Sequence, residues 1–395
     1  MSKPYLQMTK GYELVLPAGA ERFVRSGGVD VEHASLSAPA GSTVRLLATS
    51  GDELGLAVAD PENGQLRVLV TARDGLTRID GTVFALRLEH ALALRRRLGV
   101  VAPDAAYRLL SGAGDGTPGF TCDVYGRFAV ICAYAEALVP LARVLAEAVR
   151  GFASVDGVVI KTRRRGGADE VAHEVVGEAP PERVHACENG VPYELHLQRG
   201  LNVGLFTDMR QHRTTLAGLV QGARVLNLFS YTGAFSLACA LGGAASVVSV
   251  DTSAGVQAWA RANFALSALG ESSRWRFEVG DAVRFLVRAD RDRERYDLVI
   301  IDPPTYSSAR GSPWVVDRDY PPLIEQAMRV VPVGGLIWLA CNTHSGVSLS
   351  KLVARAVARA GRSVAVLAEG GLPPDYPTLA AQPKDRYLQT QLLRC

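Results

Sequence analysis

Apolar residues follow one rhythm along the first half of the chain and another from about residue 220 onward. In the first part, short apolar runs at Val44 to Ala48, Leu54 to Ala59 and Leu66 to Thr71 are separated by Ser50-Gly51-Asp52 and Asp60-Pro61-Glu62-Asn63-Gly64. Short strands punctuated by such turn residues predict a small β-rich module. Phe84, Leu88, Ala91, Leu92 and Leu98 then fall at helical spacing and predict a helix over 80–99 with a basic end, Arg95-Arg96-Arg97. A strand-like start at 107–110, a Gly-rich loop over 111–119, a strand over 128–134, a helix over 138–150 and a strand over 157–161 follow. That order predicts a compact α+β unit.

From 220 the alternation is regular. Strands over 224–229, 246–250, 274–279, 296–301 and 336–341 are followed in turn by helices over 233–241, 255–269, 282–288, a segment ending near 331, and 349–360. Five strands alternating with helices require right-handed parallel crossovers and an α/β, doubly wound, Rossmann-like sheet. The last two runs, 363–368 and 386–393, have only a Pro-rich loop between them. They are expected to close the sheet as an antiparallel hairpin.

Composition narrows the class. The chain has 395 residues, 48% apolar and 21% charged, enough apolar content to exclude disorder and ordinary for a globular protein. No uncharged apolar run approaches the ~18 residues of a membrane span. The first residues lack the apolar core of a secretion signal, so a cytoplasmic location is expected. The net charge of +3 does not by itself announce a nucleic-acid binder. Cysteines at 122, 132, 187, 239, 341 and 395 show no C-x-x-C pair, and the seven histidines show no ligand spacing, so no metal is expected. Lys161, Arg163, Arg164 and Arg165 form the densest basic run. It reads equally as a solvated loop or as a contact to RNA phosphates.

Ligands of open α/β sheets bind outside the carboxyl ends of the strands. After the first strand of the regular part comes Ser230-Tyr231-Thr232-Gly233, a turn with one glycine rather than the G-x-G-x-x-G of a diphosphate site. Asp251 follows the second strand, suited to the two hydroxyls of a ribose, and Gly280-Asp281 follows the third, suited to an adenine amine. Asp302-Pro303-Pro304-Thr305-Tyr306 and Asn342-Thr343-His344 follow the fourth and fifth. Two carboxylates and no pyrophosphate cradle describe an adenosine that carries something other than phosphates; S-adenosyl-L-methionine fits.

On these residues the chain resembles class I S-adenosylmethionine-dependent methyltransferases that act on bacterial large-subunit ribosomal RNA. The motifs are Leu226 to Gly233, Val250-Asp251-Thr252-Ser253 and Ile301 to Tyr306. Tyr107 through Gly119, the stretch Gly204-Leu205-Phe206-Thr207-Asp208-Met209-Arg210-Gln211-His212-Arg213, and the tail from Asp375 to Leu388 are similar to the PUA-domain 23S rRNA cytosine-C5 methyltransferases. The resemblance implies a PUA-like RNA-binding domain over 1–75, a central α+β domain over 76–192 and the methyltransferase domain over 193–395. It implies cofactor contacts from Phe206, Asp208, Arg210, Asn227, Phe229, Tyr231, Thr232, Gly233, Asp251, Thr252, Asp281 and Asp302. It implies a base pocket framed by Asp302, Pro303 and Pro304, with Tyr306 stacking on an extruded base, RNA contacts from Arg163 and Arg164, and pairing as a homodimer. Stacking of this kind is worth ~1–3 kcal/mol per base.

One departure bears on the chemistry. Methylation at cytosine C5 needs a thiolate that adds to C6, and the family carries its cysteine in a Ser-Cys-Ser-Gly stretch. Matched on Ser345-Gly346, that position holds His344, and Cys341 lies three residues earlier. Cys341, His344 and Asp302 are therefore the candidate catalytic residues. The alternative is a cysteine-free transfer to guanine N7 or another nitrogen, a group this chain resembles at Asp302 to Tyr306 and Asn342. There His344 would take a proton from an exocyclic amine. A nicotinamide-dependent oxidoreductase lacks support without its glycine fingerprint. A non-catalytic RNA-binding protein has no need of three carboxylates around one pocket. A small-molecule methyltransferase has no need of the N-terminal ~190 residues.

Overall fold

A computed structural model describes the chain except residues 1–6, 10–11, 17–23, 25–27, 31–37, 163–172, 305–313 and 343–345. The chain divides into two compact units. One comprises residues 1–189, 195–203 and 374–383; the other comprises 190–194, 204–373 and 384–395.

The first unit opens with β1 (Gln7–Thr9), β2 (Glu13–Val15), β3 (Gly28–Asp30), β4 (Thr43–Leu47), β5 (Glu53–Asp60) and β6 (Gln65–Thr71). They form one sheet in the order β1-β2-β4-β5-β6-β3. Alternation along β4 sends Val44 and Leu46 inward against Leu14, Ala57, Ala59 and Leu66, as the period of two requires. Next come α1 (Gly81–Arg97), β7 (Ala106–Ser111), β8 (Phe120–Tyr125), β9 (Phe128–Ala133), α2 (Val139–Ala153), β10 (Gly157–Thr162), β11 (His173–Gly177) and β12 (Val184–Glu188). A second sheet runs β11-β10-β9-β8-β7, with only β9 and β10 parallel because α2 makes the crossover between them. Ala142, Leu145, Ala146 and Val149 bury one stripe of α2.

β13 (Val191–Leu195) leads toward the second unit, built from α3 (Arg210–Ala217), β14 (Arg224–Leu228), α4 (Ala234–Leu241), β15 (Ser246–Asp251), α5 (Ala254–Leu266), β16 (Trp275–Val279) and α6 (Ala282–Arg291). It continues through β17 (Leu298–Ile301), α7 (Val316–Arg329), β18 (Leu336–Asn342), α8 (Leu349–Ala360), β19 (Ala365–Gly370) and β20 (Leu388–Arg394). Seven strands lie in the order β16-β15-β14-β17-β18-β20-β19. The first five are parallel, and the chain reverses direction across the sheet between β14 and β17. β20 is antiparallel to both β18 and β19, so the expected terminal hairpin forms with its second strand inserted next to the parallel set. This is an α/β, doubly wound, Rossmann-like sheet with an antiparallel terminal pair. Its carboxyl edge between β14, β15, β17 and β18 is where a ligand belongs. No helix among the described residues is long and apolar enough to cross a membrane.

Candidate functional site

The turn after β14 is the most constrained backbone in the second unit. Phe229, Tyr231 and Gly233 all take positive φ, at 57°, 47° and 77°, which non-glycine residues rarely adopt. Hydrogen bonds hold the turn: Ser230 N donates to Val250 O at 3.0 Å and Gly233 N to Ser230 O at 2.9 Å. A Cβ on Gly233 would come within 2.9 Å of the Ala260 methyl, so only glycine lets α4 start this close to α5. Beneath the turn lies a buried polar web. Asn227 Nδ2 donates to Ser236 Oγ at 2.9 Å, Ser249 Oγ bonds Ser236 Oγ at 2.7 Å, and Gln257 Nε2 reaches Ser230 Oγ at 3.1 Å. Asn227 is thus 1% exposed and supports the turn from below.

Asp251 ends β15 half-buried. Its Oδ2 accepts from Tyr231 N at 3.0 Å and its Oδ1 from Ser253 N at 3.1 Å. Backbone amides therefore fix the carboxylate, and no Lys or Arg among the described residues pairs with it. Each carboxylate oxygen keeps a lone pair for another donor. Thr252 is exposed beside it. Asp281, after β16, caps α6 by accepting from Arg284 N at 3.0 Å and is half-buried. Gly280 N donates to Asp251 O at 2.8 Å and ties the two rim positions together.

A second wall comes from the segment preceding β14. Thr232 Oγ1 donates to Gly204 O at 2.5 Å, and Gly204, at φ 114°, lies so near Trp259 that a Cβ would meet its ring at 2.3 Å. The Phe206 ring, 46% exposed, stands 5.4 Å from that of Tyr231. Arg213 Nη2 donates to Phe206 O at 2.8 Å. Asp208 and Arg210 are buried. Tyr387 OH donates to Asp208 Oδ2 at 2.9 Å, while Asp208 Oδ1 is buried without a hydrogen-bond partner among the described residues.

The ends of β17 and β18 form the other half of the rim. Ile301 lies opposite Leu339, so Asp302 leaves β17 one residue past that pair and Cys341 stands two residues past it on β18. Burial pushes the Asp302 carboxyl up to about 7, helped by the negative charge of Asp208 and opposed by Arg213. Burial and the Asp302 charge push the Cys341 thiol up to about 11. Tyr320 closes this corner, its hydroxyl 2.6 Å from Ala340 O and 3.1 Å from Ile301 O. Pro303 is buried and Pro304 exposed. Tyr306, His344, Arg163 and Arg164 lie outside the described residues.

The structure thus gathers Asp251, Asp281, Asp302, Cys341 and the Gly233 turn along one edge. Sequence reasoning gave no role to Gln257, Trp314, Tyr320 or Tyr387, which distant segments bring there. A strained turn, a carboxylate pinned by amides and free of cations, and an aromatic wall fit the ribose and adenine of S-adenosylmethionine.

Residues 133–388 match the family model described as S-adenosylmethionine-dependent methyltransferase. A ribosomal RNA large subunit methyltransferase I from Erwinia tasmaniensis is 30% identical over 357 residues, covering 88% of this chain and 89% of that protein. The protein of the same name from Klebsiella pneumoniae is 30% identical over 98% of this chain and 97% of its own. Among solved structures, SMU.776 complexed with SAH superposes with a TM-score of 0.85 at 26% identity, covering 98% of this chain and all (100%) of that one.

Proposed function

Since the chain belongs to the S-adenosylmethionine-dependent methyltransferase family, we propose that it methylates a base of large-subunit ribosomal RNA, at carbon 5 of a cytosine. The substrate class rests on relatives named for it that cover nearly the whole chain. The atom rests on one observation: Cys341 is the next-to-last residue of β18, near the carboxyl edge and within electrostatic reach of Asp302.

Gly233, Phe229, Tyr231 and Thr232 would receive the cofactor against the turn, with Asp251 and Thr252 at the ribose and Asp281 at the adenine. Phe206, Asp208 and Arg210 would cover it, and Asn227 would hold the turn in place. Bound S-adenosylmethionine supplies an electrophilic methyl group on a sulfonium sulfur. Cys341 gives its proton to the Asp302 carboxylate and adds through Sγ to C6 of the base, which makes C5 nucleophilic. When C5 takes the methyl group the methyl–sulfur bond would break and leave neutral S-adenosylhomocysteine; C5 then loses its proton to a base, the C5–C6 double bond re-forms, and the C6–S bond breaks to return the thiolate. Pro303 and Pro304 frame the extruded base and exclude water. Residues 1–75 and 76–192 act as the RNA platform, with Arg163 and Arg164 on phosphates, in a cytoplasmic homodimer.

A second reading is favoured by the burial of Cys341, 2% exposed with its thiol held near 11. A ring nitrogen already carries an in-plane lone pair and needs alignment alone. Incubating the purified protein with cofactor and unmodified large-subunit RNA, then analysing nucleosides by mass spectrometry, separates the two. 5-Methylcytidine supports the first reading and 7-methylguanosine the second; an unmodified RNA contradicts both.

A further inference from the structure

The segment that would cover the cofactor runs into α3, a helix of 8 residues. So short a helix is marginal on its own, and its buried side chains are Arg210, Arg213 and Leu216, two of them charged. Tertiary pins must therefore hold it. One is the Tyr387 hydroxyl on Asp208. His212, in the first turn of α3, supplies another. Its Nε2 stands 2.9 Å from Gly371 O, 159 positions away along the chain. A carbonyl oxygen only accepts, so Nε2 carries the proton and donates. The imidazole lies 5.4 Å from the Trp338 ring on β18, which lies 4.7 Å from the Phe235 ring on α4. The opposing backbone makes room for it. A Cβ on Gly370, the last residue of β19, would come within 3.0 Å of His212 Cε1 and 2.7 Å of Thr390 Oγ1, so glycine there admits the imidazole to the carbonyl. Burial holds the His212 pKa below the ordinary histidine value, against the bond to Gly371 and the charge of Asp208 and together with the charge of Arg213. A neutral ring with its proton on Nε2 is thus the form this site selects.

We infer that His212 is a positioning residue for the cofactor: its Nε2–H on the Gly371 carbonyl pins the start of α3 and so keeps Phe206 and Asp208 over the bound adenosine. Opening the cover to release S-adenosylhomocysteine breaks that hydrogen bond, and His212 thereby sets how long the product stays bound. It acts through the covering segment rather than on the reacting atoms. This rests on the reading above that Phe206, Asp208 and Arg210 cover the cofactor.

The test is the dissociation rate of S-adenosylhomocysteine, followed by stopped flow, in the unaltered protein and in His212→Phe, His212→Gln and Tyr387→Phe. Phenylalanine keeps a ring against Trp338 and removes the donor, whereas glutamine restores an N–H at a similar reach. All rates are compared at a temperature where circular dichroism shows every variant folded. Dissociation is expected to be about fivefold faster in His212→Phe, the worth of one hydrogen bond, with association changed less. In His212→Gln the rate should return to within about twofold of the unaltered protein. An unchanged rate in His212→Phe beside a faster one in Tyr387→Phe overturns the inference and leaves the covering segment in place. A faster rate that His212→Gln does not correct also overturns it, because the effect then belongs to packing of the ring. Unchanged rates in both phenylalanine variants overturn the covering reading itself, and the inference with it.

Discussion

The two halves of the rim differ in how their polar groups are satisfied. On the β14–β15 side nearly every group already has a partner within the chain: both oxygens of Asp251 accept backbone amides, Asp281 caps a helix, and Asn227 and Ser249 share Ser236. On the β17–β18 side the polar groups are displaced from their ordinary state. Asp302 is pushed up to about 7 and Cys341 to about 11. The first half is preorganised for a ligand that must bind identically each time. The second keeps its ionisable groups under burial that penalises their charged forms. Such preorganisation near the reacting atoms, and tension at the atoms themselves, are what group transfer requires.

Three substitutions sharpen this contrast. The largest effect is expected at Cys341→Ala, which should lower turnover by at least roughly 10³-fold while leaving cofactor binding intact. Full activity would instead establish the nitrogen-acceptor chemistry. Asp302→Asn should change stability in a pH-dependent way. Below 3.8 the carboxyl is protonated in both folded and unfolded chains; as pH rises to about 7 only the unfolded chain ionises, so the folded state loses stability through that window. The Asn variant escapes this loss. Its unfolding free energy should draw ahead of that of the unaltered protein between about pH 4 and pH 7, by up to about 4 kcal/mol at ~1.4 kcal/mol per pKa unit. A constant gap across that range would show that Asp302 is not held protonated. The smallest effect belongs to Tyr387→Phe. It removes the hydrogen bond to Asp208 and should cost about 1 kcal/mol in thermal unfolding, with a modest rise in the KM for cofactor, since Asp208 belongs to the segment proposed to cover it.

Much of the second unit was legible in the sequence for a physical reason. Parallel strands buried on both faces read as near-continuous apolar runs, as in Leu298–Ile301, and the helices between them carry a clear stripe. Elsewhere the pattern was masked by buried charge. β8, Phe-Thr-Cys-Asp-Val-Tyr, hides Asp123 in the sheet by pairing it with Arg108 at 2.6 Å, and α3 buries Arg210 and Arg213 rather than apolar residues. Neither shows a hydrophobic period. Within the rim, Asp251, Asp281 and Asp302 were legible because a residue following a parallel strand has its place fixed by topology. Tyr387 was not, because its partner Asp208 stands 179 positions away. Trp314 was not, because a single aromatic residue outside any periodic run has no local signature.

The central claim is that the β14–β15 edge is a ready-made adenosine site. Isothermal titration of S-adenosylhomocysteine into the unaltered protein and into Asp251→Ala tests it most directly. Loss of the carboxylate that would hold both ribose hydroxyls should weaken binding by about 100-fold or more, since hydrogen bonds to a charged group are worth ~1.5–3 kcal/mol each. Affinity within about threefold of the unaltered protein, with the fold intact, would contradict the account.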